Sequence, residues 1–470
     1  MFYEDAFCLA LPLPEDIQHL KHYGDYDRLV RVLDLRIADE KLPQALRRRL
    51  QMEKRIIERI PGAYPYTFDA ALALLQKEIR GVTAQELEEF RDRGMVDWIY
   101  LNGEVRFQNS FLSTLIKVRP ELEERVLNPE RLAYKKTNAG ILDDTVREMQ
   151  NSGGAARRWH MRHALRIKQE FVREGKEILV HLPLPVEYDC VRGFRLLNSG
   201  PVPGYVSDPY APQRTISFRK PLAEKDVFFA EYEFETHMRW TAPDPDLAKG
   251  GFPADQPDAL AEQPPHISFS PLIRETAREI AEGEKNPLIL ARRVYDFLTK
   301  RPIYSYVRSY FTYPDLPAQM LTGMKGDCGI FALSFITLCR YLGVPARWQS
   351  GLYCAPHDVG CHDWAQFYCE PWGWLPVDAS FGNAAWHAGS ALRHEFYFGN
   401  LDPFRLPAAR AFQAPFDPPK AHLRSDPYDN QSGEAEYPDM GLMSSQFEEK
   451  CEMLEWQAIP YGANEGADRA

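Results

Sequence analysis

A cysteine, a histidine and an aspartate stand in this chain with the spacing that thiol-based acyl chemistry needs. In Gly326-Asp327-Cys328-Gly329 a loop runs into the apolar stretch Ile330 to Leu342. There Phe331, Phe335, Leu338 and Leu342 share one helical face, and Gly343 followed by Pro345 ends the helix. Cys328 is therefore expected at a helix N-terminus, where the positive end of the dipole favours the thiolate and lowers a thiol pKa that is ordinarily about 8.5. The unpaired N–H of Cys328 would serve as an oxyanion donor. Further on come His362-Asp363-Trp364 and, after a turn around Pro371-Trp372-Gly373, the segment Trp374-Leu375-Pro376-Val377-Asp378. Pairing Tyr368 with Trp374 across that turn puts Asp378 opposite position 364, on the face that carries His362. The two side chains are then diagonal neighbours over roughly 7 to 8 Å of backbone. A thiol, a base to take its proton and a carboxylate to fix the base's tautomer make a Cys328–His362–Asp378 arrangement.

Each residue also has a plainer reading. Cys328 could be a small buried residue, as Cys339 on the same helix is expected to be. A single His on a strand is usually a satisfied polar group, and Asp378 could merely start a turn. His357 competes for the role of base, but its loop, Cys354-Ala355-Pro356-His357, lacks a strand pattern. Cys354, His357, Cys361 and His362 carry ligand-type side chains for zinc, yet their spacing lacks the paired knuckle. Neither a metal nor an organic cofactor is expected.

The elements around these residues divide the 470-residue chain into several folded units, since single cores stop growing near roughly 250 to 300 residues. Residues 1–150 read as mainly helical: apolar positions recur at helical spacing from Asp25 to Ile60, Thr83-Ala84-Gln85-Glu86 reads as a capping box, and Asn102-Gly103 as a tight hairpin. Helix then hairpin is the order of a winged helix, but that signal names no partner. Residues 155–245 switch to a period of two, clearest in Phe228 to Glu235, and suit an antiparallel β-sandwich. Residues 246–265, rich in Pro, Asp, Gly and Ala, read as an exposed linker. A unit at 266–407, opened by one helix from Leu272 through Lys300, holds the candidate site. Residues 408–470 form an extension that Cys451, Leu454 and Trp456 could dock in part.

The formal net charge of -11 argues against nucleic acid as the main partner. No run of apolar residues is long enough to span a membrane, and none of the 8 cysteines forms a C-x-x-C pair. The acidic start, Met1-Phe2-Tyr3-Glu4-Asp5, is unlike a secretory leader, so a cytoplasmic location with reduced thiols is expected.

Three ordered motifs resemble the core of the transglutaminase-like superfamily: Gly326-Asp327-Cys328; Leu342-Gly343-Val344-Pro345-Ala346-Arg347 with Gly351; and His362-Asp363-Trp364 with Gly373-Trp374-Leu375-Pro376-Val377-Asp378. The resemblance implies an α+β fold of papain-like type, with a nucleophile helix packed on an antiparallel sheet. It carries the catalytic roles to Cys328, His362 and Asp378. It also implies an oxyanion donor upstream of the nucleophile, for which Tyr304 and Tyr306 are the candidates. The expected activity is acyl transfer from an amide or peptide bond through a thioester, as a peptidase or amidase or as a protein cross-linker. The contrasting expectation is a catalytically silent papain-like module that binds a protein or peptide. The preceding β region resembles the N-terminal module of some bacterial members.

Overall fold

The computed structural model describes residues 6–128, 130–187, 189–356 and 358–462. Its N-terminal part is helical, with Glu15–Tyr23, Tyr26–Ile37 and Gln44–Ala63 burying Ile17, Leu29, Leu33 and Ile56. The helix Ala84–Asp92 starts where the capping residue is: Thr83 Oγ1 accepts from the Glu86 N–H at 3.2 Å. Only half of the expected capping box forms, because the Glu86 carboxylate turns to Arg125 (2.9 Å). The hairpin Trp98–Leu101 and Glu104–Phe107 turns at Asn102 and Gly103, both at positive φ as a two-residue primed turn requires.

The β region is two antiparallel sheets. Its alternation is borne out residue by residue: Phe228, Ala230, Tyr232 and Phe234 are buried and the acidic residues between them are half-buried. One sheet runs 447–459, 154–167, 228–239, 191–200; the other runs 440–441, 434–437, 177–183, 215–221, 205–206. Trp159, Ile178, Phe218 and Tyr232 meet between them, in a core continuous with Leu352 and Leu406 of the site-bearing unit. The segment expected as an extension thus supplies strands to both sheets. Phe447–Ile459 pairs along the whole of Gly154–Ile167, from Phe447 opposite Ile167 to Ile459 opposite Ala156. The stretch expected as an exposed linker is held down as well. Ala259 is fully buried, Arg340 donates to Ala261 O (2.7 Å), and Asp255 pairs with Arg347 (3.0 Å).

In the site-bearing unit the expected single helix is two, Pro271–Ala281 and Pro287–Lys300. Glu282 and Gly283 take positive φ and end the first, while Asn286 caps the second and Pro287 opens it. The helix Cys328–Tyr341 packs on a four-stranded antiparallel sheet ordered 373–377, 358–369, 346–355, 405–409. Phe335 against Phe367, with ring centroids 6.0 Å apart, marks the face of the sheet that meets this helix. The architecture is α+β. No helix among the described residues is long and apolar enough to cross a membrane.

Candidate active site

Strand Asp358–Cys369 pairs with Gly373–Val377 in the expected register, Tyr368 opposite Trp374 and Ala365 opposite Val377. The next residue, Asp378, leaves the strand and caps the helix Ala379–His387. Its two oxygens divide the labour. Oδ1 accepts from the Phe381 N–H (2.9 Å) and Ser380 Oγ (3.0 Å), whereas Oδ2 meets His362 Nε2 (2.7 Å) and accepts from Arg405 Nη1 (2.9 Å). One carboxylate thus both caps a helix and meets the His362 imidazole.

The dyad is buried: His362 is 5% exposed, Asp378 and Arg405 not at all. Burial pushes the Asp378 carboxyl up, but His362 and Arg405 overcome it and hold it well below the usual carboxylate range. Burial lowers the pKa of His362 despite Asp378, so at neutral pH the imidazole is neutral and able to accept a proton. Gly351 lies opposite His362, where a Cβ would run into the Leu406 carbonyl of the neighbouring strand.

Cys328 stands at the first position of its helix, capped by Asp327, whose Oδ1 accepts from the Ile330 N–H (3.3 Å). Its thiol, however, donates to Asp363 Oδ2 (3.4 Å), the residue next to His362, and makes no hydrogen bond to the imidazole. Consecutive strand residues project to opposite faces. His362 lies with Trp364, ring centroids 6.0 Å apart, while Asp363 projects toward the helix that carries Cys328. The structure thus joins His362 to Asp378 on one face of the strand and leaves the thiol with Asp363 on the other. The expected depression of the thiol pKa is also reversed. Burial, then the carboxyls of Asp363 and Asp327, push Cys328 well above its ordinary value.

The family model for the Transglutaminase-like superfamily matches residues 274–379, the stretch that contains all three residues. The chain carries a transglutaminase-like core. Among solved structures, similarity is found to a candidate cysteine protease from Cytophaga hutchinsonii, at 14% identity and TM-score 0.38 over 66% of this chain and 94% of that one. The periplasmic domain of TgpA from Pseudomonas aeruginosa is similar at 16% identity and TM-score 0.27, over 54% of this chain and 96% of that one. No curated protein matches the sequence.

Around the thiol of this transglutaminase-like core lies a cleft of about 370 Å³. Tyr304 and Tyr306 both line it, as does Cys328, with Tyr304 on a two-residue strand paired to Lys325–Gly326 just before the helix of Cys328. The Lys117 ammonium lies 3.4 Å from the centre of the Tyr304 ring and 5.2 Å from that of Tyr306, which gives both rings a cation to hold. The tyrosine that reaches the helix start is Tyr310, whose hydroxyl accepts from the Gly329 N–H (3.1 Å) and approaches Asp327 Oδ1 (2.8 Å) and Asp363 Oδ2 (3.2 Å). A Cβ on Gly329 would collide with that hydroxyl, so the glycine after the cysteine was the available signal for Tyr310. Arg405 was missed too, although an arginine inside the apolar run Phe404 to Ala409 could have been read as needing buried acids. Of the weighed zinc set, His362 is committed to Asp378, Cys361 contacts Ser432 Oγ (3.4 Å), and His357 lies outside the described residues.

The far wall of the cleft is the segment from Ser425 to Glu434. Gln431 Nε2 ties it to the site, donating to Asp363 Oδ1 (2.6 Å) and to the His362 carbonyl (3.1 Å). Burial, then Asp327, raise the Asp363 carboxyl to about 8, and burial raises Asp327 to about 6. A carboxyl whose pKa is raised on folding keeps its proton in the folded state. Its contribution to stability is complete below the ordinary carboxyl pKa and is lost as pH rises through about 8. Melting temperatures at pH 5 and pH 8 should therefore fall more for the wild type than for Asp363→Asn. Equal falls in the two proteins would refute this account of Asp363.

Proposed function

We propose that this protein is a cysteine-nucleophile acyl-transfer enzyme acting on an amide or peptide bond, with Cys328 as nucleophile, His362 as base and Asp378 as the carboxylate that orients it. The observation that carries the reading is the neutral, carboxylate-anchored imidazole of His362, adjacent in sequence to the Asp363 that touches a cysteine at a helix N-terminus opening on a cleft. The match of residues 274–379 to a superfamily model supports it. In the reaction, the strand must turn so that His362, which lies on the face away from Asp363 and the thiol, brings Nδ1 to Cys328; the thiol then leaves Asp363 and gives up its proton there. The sulfur attacks the carbonyl carbon, and the Cys328 N–H, with an upstream tyrosine, faces the developing oxyanion. The C–N bond breaks, the amine leaves with the proton held on His362, and water resolves the thioester. Hydrolysis is favoured over cross-linking because acidic groups beside the thiol would keep an incoming amine protonated and without its lone pair.

One observation favours the contrasting reading, a silent module that binds a protein or peptide: the thiol rests on a carboxylate and is held protonated. Acid-quenched intact-mass spectrometry after mixing with a panel of activated peptide amides and esters separates the two. The expected result is an acyl adduct mapped to Cys328, removed by hydroxylamine and absent from Cys328→Ala. A thiol that stays unmodified by every acyl donor would sink the enzyme reading.

A further inference from the structure

The cleft beside Cys328 is lined by Asp327, Asp363, Asp426 and Asp429, and the basic side chains near it have other engagements. Arg308 donates to the Tyr64 hydroxyl (2.8 Å) and Thr312 Oγ1 (2.9 Å), and Lys117 lies over Tyr304. Asp429 adds an independent signal. It is 2% exposed, and neither of its carboxylate oxygens has a hydrogen-bond donor in the protein. The groups it meets are other carboxyls, those of Asp426 and Asp363. Two buried carboxyls in contact require something positive between them, either a shared proton or a cation. Next to Asp429, Asn430 Oδ1 is a further buried acceptor without a donor. The wall that faces the thiol therefore holds buried acceptors whose carboxyls share protons at rest, and a cation that reaches them can displace a shared proton and meet negative charge.

We infer that this wall is a subsite for the cationic part of the acyl donor: a substrate bearing an ammonium or guanidinium group close to the scissile carbonyl, anchored by Asp363 and Asp429. The inference rests on Cys328 being the nucleophile. The cation belongs to the acyl donor rather than to an amine acceptor, because a carboxylate-bound ammonium cannot attack. It takes no part in the covalent step and only sits beside it. Its arrival has a second effect, since a positive charge on Asp363 offsets the field that keeps the thiol protonated. Binding of the right substrate and availability of the nucleophile are thereby coupled.

The test uses the full-length protein and three methanethiosulfonate reagents of similar size, one ammonium-bearing, one neutral and one sulfonate-bearing, with modification of Cys328 followed by peptide mapping. Rates are normalised to those with 2-mercaptoethanol. The ammonium reagent should label Cys328 about 10-fold or more faster than the neutral one, and the sulfonate reagent should be slowest. The preference should narrow to within roughly 3-fold at high salt and in Asp363→Asn/Asp429→Asn. That variant keeps side-chain shape and relieves a carboxyl contact, and its circular dichroism confirms that it is folded. In parallel, lysine and arginine anilides should exceed norleucine and citrulline anilides in kcat/KM by about 10-fold or more. Equal labelling by the three reagents overturns the subsite, as does turnover indifferent to the donor's charge. Because labelling needs no turnover, a cation-selective but inert Cys328 would uphold the subsite and overturn only the enzymatic reading beneath it.

Discussion

Cys328→Ala is expected to bring amide cleavage to background, and His362→Ala to lower kcat/KM by roughly 10³-fold or more. The two losses have different physical origins. Without the sulfur there is no acyl-enzyme. Without the imidazole the thiol remains beside carboxylates that disfavour its ionisation, and the leaving amine has no proton donor. Asp378 and Arg405 prepare His362 by fixing Nε2 toward Oδ2, which leaves Nδ1 as the nitrogen for the reaction. Initial rates on a responsive amide, measured beside thiol alkylation rates, separate the roles, since His362→Ala should leave the thiol present and titratable. If His362→Ala retains its rate while Asp363→Asn loses it, the base is Asp363 and the assignment to His362 is wrong.

Arg405→Ala should destabilise the protein by about 3–5 kcal/mol, read as a lowered urea midpoint with a fold that is otherwise retained. Arg405 is fully buried, and its guanidinium joins Asp378 Oδ2 (2.9 Å) to Asp402 Oδ2 (2.7 Å), both carboxylates being buried as well. Removing the cation strands two negative charges in a protein interior, and the cost comes from those charges more than from the lost bonds. The ring of Phe381 beneath the guanidinium, 4.5 Å from its centre, loses its partner too. The same network predicts acid sensitivity. Asp378 has its pKa lowered on folding, so its stabilisation is present above the ordinary carboxyl range and is lost as pH falls below it. A midpoint for Arg405→Ala within about 1 kcal/mol of wild type would show that the network is not what holds this region together.

How much of this could be read from residues alone depended on whether a pattern was local. The register of the 358–369 and 373–377 strands followed from a turn and two aromatics, and it placed Asp378 within reach of His362. The helix starting at Cys328 was equally legible, because Phe331, Phe335, Leu338 and Leu342 share one face and glycine and proline end it. What failed was long-range. Phe447–Ile459 buries few of its side chains and is held by backbone pairing to Gly154–Ile167, so it lacks the apolar alternation by which Phe228–Arg239 was recognised. Asp363 was passed over as the residue between His362 and an aromatic. Nothing in its neighbours along the chain says that Gln431 and Asp429 will press it toward the thiol. The same distance hid the reversal of the cysteine's pKa, since the helix dipole is a local property and the opposing carboxylates are not.

The wall formed by residues 425–434 comes about a hundred positions after Cys328 in the chain. During synthesis at roughly 5–20 residues per second, the cysteine, histidine and aspartate are all made several seconds before the cleft has its second side. In that interval Cys328 has neither Asp429 nor Gln431 near it. On the proposed reading, competence and selectivity would reach the molecule at separate moments, and a fragment cut to residues 274–379 would carry Cys328, His362 and Asp378 without the wall at 425–434.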